Sequence, residues 1–358
     1  VVERGQALSE TEQSVAVQKK AERAPASGLG ALGVAAGIFA SKVMGLVRER
    51  VFAHYFGNSI AAAAFRAAWR IPNFVQNLLG EGVLSASFVP VYAALLGKDA
   101  KEDADHVASA VFGLLSVTVA IAVLLGVLFA EPLTDLLTLG FQVGSRELAV
   151  ELMRIVFPAM GLLVLSAWCI GVLNSHRRFF LSYAAPVIWN AAIIAALVVF
   201  GASTSGDLPK LAAYTMYGSL VGSLLQFLVQ LPSVLQCLGR LRPTISVASP
   251  HTKQVLRSFL PVLTSRGVVQ VSAFVDIIIG GLLHERAFSA LNYAQILYLL
   301  PVSLFGMSVS VAELTEMSRE SGASEGESKK LAEKLRTRTE AALGRIAFFV
   351  VPSSAAFL

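Results

Sequence analysis

Apolar residues in this chain do not alternate with polar ones; they run together in blocks longer than a soluble core helix needs. Five stretches contain no Asp, Glu, Lys or Arg at all: 107–130, 155–176, 179–206, 211–239 and 287–312. Each meets the length of about 20 residues that a helix needs to cross a hydrocarbon core. Two further candidates carry charges. One is 258–283, with Arg266 and Asp276 inside it; the other is 28–97, which divides into a helix at about 28–54 and a second at about 60–90. The second helix and its continuation are too long for one simple crossing, and Gly80, Gly82 and Pro90 predict where it breaks or bends. The closing apolar run, 346–358, is too short to span, so the sequence is expected to be a fragment cut within its ninth span. The pattern therefore predicts an all-α polytopic membrane protein with eight complete spans and part of another.

Composition agrees. Only 15% of the 358 residues are charged, 55% are hydrophobic and the mean hydropathy is +0.66. A soluble domain carries about 25% charged residues, so a fully water-solvated surface is excluded. The net charge of +5 does not indicate nucleic acid, because the basic residues form no single patch and sit in the gaps between apolar runs. With the N-terminus in the cytoplasm, the segments 1–27, 97–106, 174–180, 238–257 and 313–345 hold nineteen Lys and Arg, against three in the opposite loops. That bias predicts a cytoplasmic N-terminus. Residues 1–27 read as a polar cytoplasmic tail and not a signal peptide. Residues 313–345 alternate charged and apolar positions as an interfacial helix does. Cys169 and Cys237 lie in or beside apolar runs without a CxxC or histidine partner, as packing or lipid-facing thiols do. The five histidines fall near span ends without metal-ligand spacing, and no GxxxxGK[ST] loop occurs. Neither an enzyme nor a metal or nucleotide cofactor is expected.

The candidate chemistry lies in charges placed where they are expensive. A permanent charge at mid-membrane costs at least about 2.5–3.5 kcal/mol, yet Lys42, Arg48, Arg50, Arg66, Arg70, Arg154 and Arg266 all fall within expected spans. Arg66, Arg70, Asn73, Asn77 and Glu81 are spaced by four, three, four and four, which places them on one helical face. Lys42 and Glu49, seven apart, share a face of the preceding helix, with Arg48 beside them. Arg48, Arg50 and Arg154 either snorkel to an interface or enter structural ion pairs; for Arg66 and Arg70 a water-filled cavity is the favoured reading. Such a cavity would attract an anionic solute, and the arginine fork suits diphosphate because it donates two parallel hydrogen bonds. Asp276 lies ten residues, about 15 Å, from Arg266. It is protonated, paired with another helix, or a cation or proton site. From the residues alone the chain is an anion-handling membrane carrier.

The segment SKVMGLVRERVFAHYFG at 41–57, followed by WRIPNFVQNLLGEGVLSASFVPVY at 69–92, resembles the signature of the lipid II flippase (MurJ/MviN) family. Similar segments follow in order: FP at 157–158, LNSHRRFFLSYAAPVIWN at 173–190, GSLLQFLVQLP at 222–232, PVLTSRGVVQVSAFVD at 261–276 and NYAQILYLLPVSLFGMSVSVAEL at 292–314. The resemblance covers about residues 30 to 358. It implies a fold of the multidrug/oligosaccharidyl-lipid/polysaccharide (MOP) exporter superfamily, with two six-helix lobes related by a pseudo-twofold axis. The N-lobe would be 28–240, and 241–358 would begin the C-lobe with two spans, the interfacial helix and a partial ninth span. It further implies transport of undecaprenyl-diphosphate-linked peptidoglycan precursor across the bacterial inner membrane by alternating access, in the service of cell-wall biogenesis and cell shape. A coupling ion (Na+ or H+) or the membrane potential would drive it; membrane lipids and cell-wall synthesis proteins would be partners, and nucleic acid would not.

By the same resemblance Arg48 and Arg70, with Lys42 where an arginine is usual, would bind substrate in a cationic cavity, to which Arg66 and Arg266 add charges that the family pattern does not include. Glu49, Gln76, Asn77, Glu81, Gly82, Ser85 and Gln295 would line or gate it. Three positions depart from the family pattern: Gln76 and Ile296 stand where arginines are usual, and Ala63 where an acid is usual. Arg66 and Arg266 are extra charges that could replace the two lost. Two other readings stay open: a divergent paralogue that flips another polyprenyl-diphosphate glycan of the O-antigen type, or a non-transporting scaffold for cell-wall synthesis.

Overall fold

The computed structural model describes residues 28–139, 141–204, 206–282, 285–301 and 328–355, which are helices joined by turns and by one irregular segment at 240–248. The helices are α1 (Gly28–Phe56), α2 (Ile60–Leu79), α3 (Glu81–Ser87), α4 (Val89–Gly97), α5 (Lys101–Leu128), α6 (Ala130–Leu137), α7 (Val143–Ser175), α8 (Phe179–Gly201), α9 (Leu208–Cys237), α10 (Pro250–Gly281), α11 (Glu285–Pro301) and α12 (Ser328–Ala355). They fall into two compact units, one ending at Glu285 and one beginning at Arg286. Among the described residues five segments are long and apolar enough to cross a bilayer: 60–97, 101–128, 143–175, 179–201 and 208–237. The chain is a multi-pass membrane protein.

Helix ends follow local chemistry. The Ser59 hydroxyl accepts from the Ala62 amide at 3.1 Å and caps α2, and the Asp207 carboxylate does the same for α9 at the Lys210 amide, also 3.1 Å. Gly57 (φ +51°) and Gly206 (φ +87°) take the left-handed turns just before those caps. The expected break of the second span is present. Gly80 separates α2 from α3, and a Cβ there would run into the Gln76 carbonyl oxygen, so no larger residue fits. Pro90 then starts α4 in its first turn, where its missing N–H costs nothing. One consequence differs from the helical-face reading: Glu81 opens a new helix beyond the break and does not continue the Arg66–Asn77 stripe.

In the first unit α7 is the hub. Of its most apolar stretch 78% is buried, against 28% for α5, α8 and α9. It packs on α9, α2, α5 and α6, while α8 lies between α1 and α9. Small residues set the approach distances. Gly126 of α5 sits against the Phe157 ring, and Gly218 and Gly222 of α9 lie on Ala196 and Ala192 of α8. Val117, Ile121, Leu124 and Leu128 of α5, and Val221, Leu225 and Leu228 of α9, remain exposed at helical spacing, as lipid-facing stripes do. Inside the α7–α9 contact the Ser166 hydroxyl donates to Gln230 Oε1 at 2.6 Å and accepts from Gln226 Nε2 at 2.8 Å, all three side chains being buried.

Helix α10, assigned by sequence to the second lobe, packs against α2 to α6. The segment that leads to it is laid along α5. Asp105 accepts from the Gly239 and Arg240 amides at 3.0 and 3.4 Å, and the Ser109 hydroxyl accepts from the Arg242 amide at 3.1 Å. Gly113, one turn further, lets the Thr244 backbone pass. In the second unit α11 runs over 285–301. Helix α12 runs unbroken over 328–355, joining residues that the sequence pattern divides into an interfacial helix and a partial span. Of the expected interfacial helix, 313–327 lies outside the described residues, as do 302–312 of the expected eighth span.

Candidate anion site at the junction of three helices

Arg48 and Glu49 near the end of α1, Arg66 in the second turn of α2, and Trp189 and Asn190 in the middle of α8 form one cluster. Arg48 donates through Nη2 to Glu49 Oε1 at 2.8 Å and through Nη1 to Asn190 Oδ1 at 3.1 Å. Arg66 Nη2 donates to the other carboxylate oxygen, Oε2, at 3.1 Å. One carboxylate thus holds two guanidinium groups from two helices. Aromatic faces complete the cradle: the Arg48 guanidinium lies 5.2 Å from the Trp189 ring centre and that of Arg66 lies 5.0 Å from Phe52, both within cation–π range. The side chains are 23% exposed for Arg48 and Glu49 and 12% for Arg66, so the cluster is neither sealed nor turned outward.

The second-row contacts explain the placement. Pro186 interrupts the hydrogen-bond ladder of α8, and Asn190 Nδ2 donates to the Pro186 carbonyl at 2.9 Å, which orients its Oδ1 toward Arg48. Trp189 Nε1 donates to the Ser219 hydroxyl at 3.2 Å, and Trp69 Nε1 points to the Met216 sulfur at 3.1 Å. The two indoles, 5.5 Å apart, brace α2 and α8 beside the arginines.

Arg70, Asn73 and Asn77 follow Arg66 along α2 and are half-buried, as the shared face requires. Lys42 of α1 is exposed, as are Arg50 and Arg154. Gln76 is half-buried and is one of the residues lining an apolar recess with Pro72, Val119, Phe157, Met160 and Val164. Glu81 and Ser85 are exposed on α3, with Gly82 between them half-buried. Arg266 and Asp276 lie on α10 and Ile296 on α11, but their side chains fall outside the described residues; Gln295 is exposed on α11 in the second unit. Among the described residues no group of three His, Cys, Asp or Glu could hold a metal ion.

A second polar cluster joins the turns at one end of the bundle. Tyr92 of α4 shares a 2.9 Å hydrogen bond with His176 in the α7–α8 turn, and Arg178 donates to Gln236 of α9 at 3.1 Å. The His176 ring is held below its ordinary pKa of 6.5. Burial opposes its charged form, Arg178 adds to that, and Asp105 pulls the other way.

The family model described as "Lipid II flippase MurJ" matches residues 52–358. The chain belongs to the lipid II flippase MurJ family. It is 32% identical over 285 residues to the lipid II flippase MurJ of Burkholderia cenocepacia, covering 78% of this chain and 54% of that relative. To the probable lipid II flippase MurJ of Haemophilus influenzae it is 30% identical over 323 residues, covering 88% and 62%. The chain therefore spans a little over half the length of these MurJ relatives. The solved structure "Lipid II flippase MurJ, inward closed conformation" superposes with a TM-score of 0.71 at 27% identity, over 89% of this chain and 63% of that one. An inward-facing multidrug resistance MATE transporter of the MOP superfamily superposes with a TM-score of 0.64 at 17% identity, covering 83% and 68%, which shows the shared fold alone. The MurJ family match takes in Arg66, Arg70 and Gln76, while Arg48 and Glu49 lie just ahead of it.

The charged members of the site stand out in the sequence because charges are costly in apolar runs. Trp189 and Asn190 do not, although an asparagine four residues after Pro186 in a charge-free span is a usable signal. Gln226 and Gln230, four apart in the same kind of span, are another.

Proposed function

We propose that this protein moves a lipid-linked peptidoglycan precursor, undecaprenyl-diphosphate carrying a disaccharide-pentapeptide, from the inner to the outer leaflet of the bacterial inner membrane. Arg48 and Arg66 are its first contacts with the diphosphate. The observation that carries the reading is the convergence of these guanidinium groups from α1 and α2 on a partly open position beside aromatic rings. A guanidinium fork matches the paired oxygens of a diphosphate, and in a low-dielectric surrounding such contacts are strong enough to select an anion. Arg70, with Asn73 and Asn77 on the same face of α2, continues the polar track, and Lys42 and Arg266 add positive charge along the path. Alternating access of two lobes, a cytoplasmic N-terminus, coupling to an ion or to the membrane potential, and contacts with cell-wall synthesis proteins belong to the same proposal.

The family pattern places an arginine where Gln76 stands, and Gln76 lies in the lining of an apolar recess. This favours one second reading, a paralogue that flips a different polyprenyl-diphosphate glycan with a grip centred on Arg66. Complementation separates the two. The full-length protein is expressed in a strain depleted of its own lipid II flippase, and lipid II exposed on the outer leaflet is measured. Wild type restores exposure and growth, while Arg48→Gln and Arg66→Gln lower the exposure rate at equal protein levels. Full activity in both variants would refute the assignment of the grip. Failure of wild type, together with rescue of an O-antigen flippase mutant, would favour the paralogue.

A further inference from the structure

We infer that Glu49 is a place-holder anion, occupying with its two carboxylate oxygens the positions that two substrate phosphate oxygens take when Arg48 and Arg66 close on the diphosphate. Place-holding presupposes the anion site proposed above and adds how that site is kept ready while empty. Both Glu49 oxygens are engaged, each by a different guanidinium and each through a terminal Nη2 nitrogen, at 2.8 and 3.1 Å. Terminal nitrogens are also the ones a phosphate would need. Among the described residues the carboxylate makes no other side-chain hydrogen bond, whereas Arg48 also meets Asn190 and Trp189 and Arg66 also meets the Phe52 face. The cations are thus set by the scaffold, and the anion between them is the movable part.

Charge explains why such a device is needed. Two guanidinium groups this close in an apolar bundle would repel each other and each would carry a large desolvation penalty. One carboxylate brings the trio to a net charge of one and holds the guanidinium groups in register. A diphosphate, which carries more than one negative charge, cannot share the site with the carboxylate without like-charge repulsion. Binding therefore exchanges two charge-assisted hydrogen bonds to Glu49 for stronger ones to phosphate, and the released carboxylate turns to the open side of the cluster, where Glu49 is 23% exposed. Arg66 has a particular role in this scheme, because it makes the exchange bidentate across α1 and α2 and ties the two helices together in both states.

The test uses full-length protein in nanodiscs and farnesyl diphosphate as a soluble polyprenyl-diphosphate probe, with affinity read by calorimetry. Glu49→Gln keeps the shape and removes the competing charge. It is expected to bind the probe about tenfold more tightly than wild type, the order expected when a competing charge-assisted partner is lost. Its thermal midpoint without probe falls below that of wild type and is restored by probe. Glu49→Asp keeps the competing charge and binds like wild type, a control that holds if the glutamine variant folds poorly. Equal or weaker binding by Glu49→Gln, with Arg48→Gln and Arg66→Gln both losing the probe, would overturn place-holding and leave the anion site standing. Unchanged affinity in all these variants, or no binding by wild type and Glu49→Gln alike, would overturn both.

Discussion

Helix α8 is gripped on two sides, and a single methyl group on one of them should reach the arginine cluster. On the α1 side a Cβ on Gly37 would sit 2.8 Å from the Tyr183 Cβ. On the α9 side a Cβ on Gly222 would sit 2.8 Å from the Ala192 Cβ, 3.0 Å from the Trp189 carbonyl oxygen and 3.2 Å from the Trp189 Cα. None of those atoms is the tip of a flexible side chain, so Gly222→Ala forces a backbone to move. Restoring the Ala192 contact from 2.8 Å to an ordinary 3.4 Å takes a shift of 0.6 Å at the turn that carries Trp189 and Asn190. The Asn190–Arg48 hydrogen bond at 3.1 Å tolerates only a few tenths of an ångström before its geometry fails. Overpacking of this kind costs about 1–3 kcal/mol, and the thermal midpoint should drop by several degrees at roughly 2–4 °C per kcal/mol. Gly45→Ala is the control: among the described residues nothing lies within 4 Å of its added Cβ, so the gain of helix propensity, up to about 1 kcal/mol, is left unopposed. Tryptophan fluorescence during heating in detergent, with outer-leaflet exposure measured in cells, reads both effects. If Gly222→Ala melted with wild type and flipped at the same rate, or if Gly45→Ala lost as much stability, the close-packing reasoning would be wrong.

Ser166→Ala leaves two buried glutamines without their shared hydroxyl and should destabilise α7–α9 packing by about 1–2 kcal/mol, while Ser166→Thr keeps the hydroxyl; a larger loss from threonine than from alanine in detergent melts would contradict this. Because the His176 ring is held below 6.5 in the fold, stability is intact above that value and declines as pH falls through 6.5 toward the folded pKa; His176→Gln should flatten the melting profile between about pH 5 and pH 8, and an unchanged slope would remove His176 as its cause. Single cysteines at Lys98 and Lys253, in a background lacking Cys169 and Cys237, should resist a membrane-impermeant thiol reagent in intact cells, and one at Lys210 should react; the reverse pattern would invert the orientation.

Span positions were legible because charge-free runs have one solution in a bilayer. Their ends were less so. Helix α7 begins at Val143, twelve residues before the apolar run, because Glu147, Glu151 and Arg154 occupy one exposed face while Ala149, Leu152 and Met153 are buried on the other. A charge count mistakes such an amphipathic extension for a loop. The short α6 was hidden for the same reason, since its helix continues through Glu131 and Asp135 while Ala130, Thr134 and Leu137 stay buried. In the site, Arg48, Glu49 and Arg66 announce themselves as misplaced charges. Asn190 is 142 positions from Arg48, and nothing local to either residue specifies that they meet; the α1–α8 packing does. Glu81 is not part of the continuous Arg66–Asn77 stripe, because a stripe drawn through Gly80 assumes a continuity that the glycine removes.

The track on α5 formed by Asp105, Ser109 and Gly113 has a mechanical consequence for α10. With residues 239–244 fastened along that track, the slack ahead of Pro250 is only 245–249, a leash of about 20 Å when taut over its six steps. Travel of α10 is bounded by that leash, and bending inside the helix, at Pro261, is the alternative to paying it out.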